Sequence, residues 1–208
     1  TELPITDEYY RITVVASNQI FNLNSYSDPQ LSANPVLMNY HDARMMYYQP
    51  GYEQVQELHY KNEDTFYGET GFQNIYPEEI EVSVNRIVGK VEFDIEDTAD
   101  YSVKILNDAT EFAFSTQTSG NNIDDDFGHT SVNHTGTPLS FFILRTDTPL
   151  RIQLSSTTND EIYKEVEVPV YKNKRTVISG RLLGQQFTSA LSVTVNDQWD
   201  ADAPPVKF

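Results

Sequence analysis

The stretch IEVSVNRIVGKVEFDI, residues 80–95, alternates apolar and polar side chains, and the alternation changes phase halfway. Apolar residues occupy even positions in Ile80–Val84 and odd positions in Val91–Ile95, on either side of Asn85–Gly89. Successive side chains of a β-strand point to opposite faces, so one buried face gives a period of two. A phase change indicates either a bulge or two strands with a joint between them. The stretch therefore predicts β-structure and a point at which the chain can divide.

The composition extends this prediction to the whole chain. The 208 residues are 38% hydrophobic and include 13 Tyr and 11 Phe, the aromatic residues that β-sheets favour. Short apolar segments recur between turn signals at intervals of roughly 8–12 residues, which is typical of β-sandwiches. Strands do not alternate with helical segments. We therefore predict an all-β fold of antiparallel β-sandwiches.

The strands can be placed approximately. Tyr9–Ala16 is predicted as a strand, and Ile162–Val170 is predicted to pair with Thr176–Leu183 across a Lys-Asn-Lys turn. The tail Ala201–Phe208 contains two consecutive prolines, which lack the backbone donor, so it is not expected to extend a sheet. Two segments rich in Asn, Ser and Asp are predicted as loops: residues 22–35 and 117–137.

The charge and the absence of cysteine exclude several classes of protein. With 31 acidic and 14 basic residues the net charge is −17, and such a chain is repelled by nucleic acid and by anionic membrane surfaces. Without cysteine there are no disulfides, zinc ribbons or thiol nucleophiles. No run of 18 apolar residues is present to span a membrane. We expect a protein that is soluble outside the cell.

Motifs for chemistry are weak. The acidic loop holding Asp124, Asp125 and Asp126 offers oxygen ligands for calcium, but it lacks the EF-hand spacing, and a solvated charged loop is the simpler interpretation. No nucleophile elbow, phosphate loop or dinucleotide motif occurs. We therefore predict no cofactor, no catalytic residue and no enzymatic activity.

Aromatic residues are dense between residues 40 and 76. Gly68 and Gly71 are predicted as turns within this segment. Its rings can fill a sandwich core, or they can stack on sugar faces as a carbohydrate-binding module. Three tyrosines are the candidate sugar-stacking residues: Tyr47, Tyr48 and Tyr52.

Several blocks in order resemble the fimbrillin-like proteins of Bacteroidetes. Leu3-Pro4 followed by Tyr10–Ala16 is similar to that family's Leu-Pro block and second strand, and Asp64–Gly68 to its aromatic-glycine block. Val84–Phe93 resembles its central Arg-hydrophobic-Val-Ala-Lys strand, with Gly89 in place of Ala. Three further segments resemble its closing hairpin and final strand: Tyr163–Val170, Thr176–Leu183 and Leu191–Trp199.

The resemblance implies two transthyretin-like β-sandwich domains in tandem, with residues 1–85 in the first and 86–208 in the second. It also implies a cell-surface lipoprotein on the outer membrane of a Gram-negative bacterium, acting as a type V pilus subunit or anchor. Its expected partners are other pilus subunits or surface ligands. Such subunits polymerise by β-strand exchange, in which one subunit's strand satisfies the open sheet edge of the next.

One departure from the family pattern identifies a candidate site. Fimbrillin-like chains usually have a strand and a lipidated cysteine before the Leu-Pro block, which here begins at residue 3. The expected first strand is therefore missing, and any lipid anchor would lie on an absent N-terminal segment. Without that first strand, the edge of the predicted strand Tyr9–Ala16 would be exposed. We predict that this edge accepts a strand, with Tyr10, Ile12 and Val14 as its residues.

Overall fold

The computed structural model consists of β-strands and their connections throughout the part of the chain that it describes, which confirms the predicted all-β class. That part comprises residues 9–18, 21–25, 40–41, 43–46, 63–73, 80–98, 100–122, 129–133, 139–158, 163–183, 191–196 and 206–207.

The strands are short, and most have between four and nine residues. In chain order they are β1 (Tyr9–Ser17), β2 (Asn22–Ser25), β3 (Ala43–Met46), β4 (Thr65–Gln73), β5 (Glu81–Val82), β6 (Asn85–Arg86), β7 (Gly89–Ile95), β8 (Tyr101–Ile105), β9 (Ala109–Ala113), β10 (Thr118–Asn122), β11 (His129–Asn133), β12 (Leu139–Ile143), β13 (Leu150–Ser156), β14 (Tyr163–Val168), β15 (Arg175–Gly180), β16 (Leu191–Asn196) and β17 (Val206–Lys207).

These strands form five sheets, which we number here. Sheet 1 has the order β1-β4-β6, sheet 2 β10-β9-β3-β2, sheet 3 β11-β8-β13-β14, sheet 4 β12-β7-β15-β16 and sheet 5 β17-β5. The pairs of neighbouring strands are antiparallel except β7 and β15, which run parallel. The predicted antiparallel pairing therefore holds for the described strands, with the parallel pair β7 and β15 as the exception.

Two hydrophobic cores lie between facing sheets. Sheets 3 and 4 pack over the larger core, where Phe93, Ile152 and Ile178 are fully buried. Sheets 1 and 2 pack over the second core, which includes Met45 and Phe112. Buried and partly exposed residues alternate strictly along β13, as expected of a strand with one face in a core. Each core thus arises from period-two patterning.

The phase change near Gly89 marks the passage of the chain from one core to the other. Ile87 and Val88 pack in the second core, whereas Val91 and Phe93 pack in the larger one. β6 pairs with β4 in sheet 1, and β7 pairs with β12 and β15 in sheet 4. The alternation shifts because the buried face is set by a different sheet on each side of the joint.

The division into domains at residues 85 and 86 stays a prediction, as does the transthyretin-like identity of the two units. The β9–β10 hairpin follows that boundary in the sequence, yet β9 pairs with β3 in sheet 2. Phe112 of the hairpin lies opposite Met45 and is buried in the second core. Residues from both sides of the boundary therefore build this core.

The predicted hairpin between Ile162–Val170 and Thr176–Leu183 is wrong. A turn does lie between them, but β14 pairs with β13 in sheet 3 and β15 pairs with β7 and β16 in sheet 4. Val168 and Ile178 are both buried in the larger core, which they reach from opposite sheets. The chain therefore crosses over the edge of the sandwich instead of folding back within one sheet.

Three further predictions are wrong in part. The segments 22–35 and 117–137 contain β2, β10 and β11, which are edge strands with few apolar residues. β17 in the tail pairs with β5, because residues after the prolines keep their backbone donors. Gly68 and Gly71 lie inside β4 instead of in turns. A Cβ at Gly68 would overlap the backbone of Ser83, so this glycine permits a close approach of two chain segments.

Arg86 joins β6 to the turn between β14 and β15. Its guanidinium donates to both oxygens of Asp64, at 2.7 and 3.0 Å, and to Oδ1 of Asn173 at 2.7 Å. It lies 4.8 Å above the ring of Phe66, and its side chain is only 5% exposed. The backbone of Asn173 also donates to the carbonyl of Val88 at 2.9 Å. This ion pair is therefore a buried link between sheet 1 and the turn that precedes sheet 4.

Asp108 is a buried acceptor at the start of the β9–β10 hairpin. Its Oδ1 accepts hydrogen bonds from the backbone N–H groups of Ala109, Leu144 and Arg145, at 2.7, 3.1 and 2.9 Å. The residue has no exposed surface. Buried backbone donors need partners, and this single oxygen satisfies three of them where β12 ends and the hairpin begins.

Candidate functional site

The β1 edge of sheet 1 is open within the described part of the chain. β1 pairs with β4 along its whole length, from Tyr9 opposite Gln73 to Ser17 opposite Thr65. None of the described strands pairs with its other side. The facing sheet ends at β2, which is likewise an edge strand. An open edge presents backbone donors and acceptors that another strand can satisfy.

An apolar groove with a volume of about 390 Å³ runs along β1. Its walls come from β1, from the residues at and just before β2, and from the turn after β9, so it lies between the margins of sheets 1 and 2. Leu23 is 42% exposed there. The lining residues are Ile12, Thr13, Val14, Val15, Phe21, Leu23 and Phe114.

The structure places the predicted acceptor residues as follows. Ile12 and Val14 line the groove. Tyr10 lies on β1 opposite Phe72, but its side chain is outside the described part. Sequence analysis missed Phe21, Leu23 and Phe114, which come from distant segments. That these residues accept a strand stays a prediction.

A cluster of polar side chains lies beside the groove, and we call it the Glu69 cluster: Arg11, Tyr40, Tyr67, Glu69 and Gln117. Oε2 of Glu69 accepts hydrogen bonds from the hydroxyls of Tyr40 and Tyr67, each at 2.6 Å. Oε1 accepts from Arg11 at 3.3 Å and from Gln117 at 3.5 Å. The guanidinium of Arg11 also lies 4.2 Å above the ring of Tyr40. One carboxylate thus binds four side chains.

The ionisation of the Glu69 cluster follows from these contacts. Burial and the neighbouring Glu69 carboxylate raise the pKa of Tyr67 far above its ordinary value of 10.0, and they raise the pKa of Tyr40 in the same direction. Burial alone would raise the pKa of Glu69. Hydrogen bonds from Tyr40 and Tyr67 outweigh it, together with the charge of Arg11, and hold this pKa below 4.5. The cluster is stable as one carboxylate with two neutral phenols.

We expect the Glu69 cluster to contribute stability only between two pH limits. Because the folded pKa of Glu69 is lowered, its contribution is complete above pH 4.5 and is lost as the pH falls through the folded value. Because the pKa of Tyr67 is raised, its contribution is complete below pH 10.0 and declines only as the pH rises beyond it. Melting temperatures of the wild type and Glu69→Gln should therefore converge in acid. If the two melting temperatures instead fall in parallel as the pH is lowered, this assignment is wrong.

The other predicted site residues cannot be compared with the structure. Asp124, Asp125 and Asp126 lie outside the described residues, and so do Tyr47, Tyr48 and Tyr52. Within the described ranges, no group of three His, Cys, Asp or Glu residues is placed to hold a metal ion. The calcium loop and the sugar-stacking surface stay predictions.

The family model of the fimbrillin-A associated anchor proteins Mfa1 and Mfa2 matches residues 1–202. The chain belongs to this family. The predicted fimbrillin-like membership is therefore confirmed. Membership of the fimbrillin-A associated family implies a location at the cell surface. No curated protein sequence matches the chain.

Solved structures similar to this family member are distant in sequence. A protein of Bacteroides thetaiotaomicron, provisionally described as polysaccharide-binding, has a TM-score of 0.53 and 11% identity, over 95% of this chain and 76% of its own. The tip fimbrial protein Mfa3 of Porphyromonas gingivalis has a TM-score of 0.41 and 9% identity, over 68% of each chain. A provisionally described cell adhesion protein of Bacteroides uniformis has a TM-score of 0.43 and 11% identity, over 64% of this chain and 60% of its own. This chain covers 60% of the Bacteroides uniformis protein, which is less than two thirds of that protein's length. The likeness to the Bacteroides thetaiotaomicron protein supports the fold alone, because the identity is only 11%.

In the ranges that the structure describes, no helix has the length and apolar character needed to cross a membrane.

Proposed function

We propose that this chain is a non-enzymatic fimbrial subunit or adhesin-like structural protein that assembles by β-strand exchange. The observation that carries the proposal is the apolar groove along the edge of β1 that no described strand occupies. Family membership supports a fimbrial role. The proposal places the protein on the extracellular side of the outer membrane of a Gram-negative bacterium, with other fimbrial subunits or surface ligands as partners.

The groove suits a strand by its chemistry. A donor strand would pair its backbone with β1, and the alternate side chains that face the groove would contact Val15, Leu23 and Phe114. Backbone hydrogen bonds then supply affinity, and the apolar contacts select the sequence. Thr13 is the one polar residue among those lining the groove, so the inward positions of the donor should be apolar.

Addition of a synthetic peptide tests the proposal. A peptide with alternating apolar residues, in the style of a fimbrillin N-terminal strand, should raise the melting temperature. At about 100 times its Kd the peptide stabilises the folded chain by about 2.7 kcal/mol. A peptide of the same length that keeps the apolar residues but has proline at the alternate positions is the control, since proline cannot complete the ladder. If none of a set of alternating peptides stabilises the chain, the proposal is wrong.

Two exposed apolar residues provide a matched pair of variants. Leu23 lines the groove and is 42% exposed, whereas Val193 on β16 is 41% exposed and lies outside the groove. Leu23→Asp should abolish stabilisation by the peptide, because it places a charge where the donor's apolar side chains would bind. Val193→Asp should leave the effect of the peptide unchanged. Equal loss in both variants would point to nonspecific apolar binding.

A further inference from the structure

The Glu69 cluster connects the two sheets that form the groove. Arg11, Tyr67 and Glu69 belong to sheet 1, on β1 and β4. Tyr40 lies just before β3 of sheet 2, and Gln117 lies in the turn between β9 and β10. The bonds from Tyr40 and Gln117 to Glu69 therefore cross from one sheet to the other.

A second set of contacts ties the cluster to the groove wall. The hydroxyl oxygens of Tyr40 and Tyr67, whose single protons are directed to Glu69, also lie 3.1 and 3.4 Å from the carbonyl oxygen of Phe114. The ring of Phe114 stacks on that of Tyr67 with centroids 5.4 Å apart, and Phe114 also lines the groove. Thr13, another lining residue, lies opposite Glu69 in the β1–β4 pair. The cluster thus borders the groove through both of its walls.

An open apolar groove needs a structural reason to stay open. Water disfavours exposed apolar surface, so the hydrophobic effect drives the margins of the two sheets together. The Glu69 carboxylate opposes this movement because its bond to the hydroxyl of Tyr40, which crosses between the sheets, is already short at 2.6 Å. Closing the groove would displace Tyr40 from Glu69, and its hydroxyl would lose a part-buried hydrogen bond to a charged acceptor.

We propose that Glu69 is a positioning residue that holds sheets 1 and 2 apart and so keeps the groove ready for a strand. This role rests on the proposed function, since it concerns the same groove. A pre-organised groove binds its partner more tightly, because no free energy is spent on opening it. The residue contributes to affinity through the spacing of the sheets and not through contact with the donor.

The distance between the two sheets can be measured directly. Because the chain has no cysteine, cysteines placed at Ala16 on β1 and Thr118 on β10 would carry the only spin labels. Both positions are exposed and lie outside the cluster. Electron–electron double resonance should give a narrow distance distribution in the wild type. In Glu69→Ala the distribution should shift to shorter distances or broaden.

Three variants separate positioning from general stability. Glu92→Ala is the matched control, because Glu92 has the same 22% side-chain exposure as Glu69 and pairs with Lys90 and Arg175 in sheet 4. It should leave the distance distribution unchanged. Glu69→Gln keeps an acceptor oxygen for the phenols and should restore much of the wild-type distribution. If Glu69→Ala does not fold, Tyr40→Phe removes only the hydroxyl that bridges the sheets and should broaden the distribution.

Peptide binding provides the functional measurement. Glu69→Ala should lower the affinity for the alternating peptide at least tenfold, and Glu92→Ala should not change it. An unchanged distance distribution in folded Glu69→Ala, or in Tyr40→Phe where the alanine variant does not fold, would overturn the positioning role, whatever the peptide does. If no peptide binds the wild type while the distribution still shifts in Glu69→Ala, the strand-exchange function fails and the spacing role stands.

Discussion

Replacement of Arg86 by leucine is expected to lower the free energy of unfolding by about 3–5 kcal/mol, the usual cost of removing one partner of a buried ion pair. Three hydrogen bonds to Asp64 and Asn173 would be lost. The carboxylate of Asp64 is only 22% exposed, and it would lose this guanidinium as its partner. The link between β6 and the turn before β15 would be lost as well. Urea unfolding followed by circular dichroism measures the change.

A surface pair of the same chemistry is the control for Arg86. Arg151 donates to Glu165 through Nε and Nη2, at 3.2 and 3.1 Å, but the two side chains are 40% and 36% exposed. Exposed pairs contribute at most about 1 kcal/mol, so Arg151→Leu should have a small effect. Similar losses in the two variants would contradict the assignment of Arg86 as a buried link.

Replacement of Asp108 by alanine should cost about 4 kcal/mol, since it removes one acceptor from three backbone donors. The N–H groups of Ala109, Leu144 and Arg145 would lose this acceptor. Asp108 is fully buried. A buried donor left unsatisfied costs about 1–3 kcal/mol, and the truncated side chain also leaves a cavity. Chemical denaturation of the purified variant measures the loss.

The isosteric change Asp108→Asn tests the cause of that loss. The asparagine keeps an acceptor oxygen in nearly the same place but carries no charge, so it should cost about 1–2 kcal/mol, less than alanine. If asparagine and alanine destabilise equally, the negative charge matters more than the three hydrogen bonds. If neither variant destabilises the chain, the assignment of Asp108 as a buried acceptor is wrong.

The strands of the larger core were predictable because their pattern is unambiguous. Leu150, Ile152 and Leu154 alternate with polar residues, and all three are fully buried on one face of β13. Such alternation specifies a strand and its buried face wherever that face meets a core. It also located the joint near Gly89, where the buried face changes phase.

The pairing of strands in the sheets was less predictable, because the alternation of apolar and polar residues does not specify which strand lies next to which. Val168 and Ile178 have the pattern of hairpin partners, yet they lie in facing sheets of one core. The turn between them contains a residue in the left-handed region, Asn173 at φ 56°. Such a turn is compatible with a hairpin and with a crossover between facing sheets. β10 and β11 escaped prediction for another reason: edge strands need backbone partners more than apolar side chains, and their sequences are polar.

The candidate site was predictable only on one side. Ile12 and Val14 could be found because they lie in a clear apolar strand at the predicted open edge. Leu23 and Phe114 come from segments more than 90 residues apart in the sequence, and no local pattern relates them. Glu69 was equally hidden, since a carboxylate in a strand gives no signal until Tyr40 and Tyr67 are brought to it by the fold.

The recruitment of the β9–β10 hairpin into sheet 2 sets an order of events during folding. Arg44 pairs with Ala113, 69 positions later in the chain, and contacts this distant in sequence slow folding because a long loop must close first. The second core includes Phe112 and Phe114, so we expect it to form only after the hairpin, although β1 to β4 are synthesised well before it. We expect amides of β3 and β9 to gain protection from hydrogen exchange together during refolding. Until the hairpin arrives, the first third of the chain remains without one wall of its core.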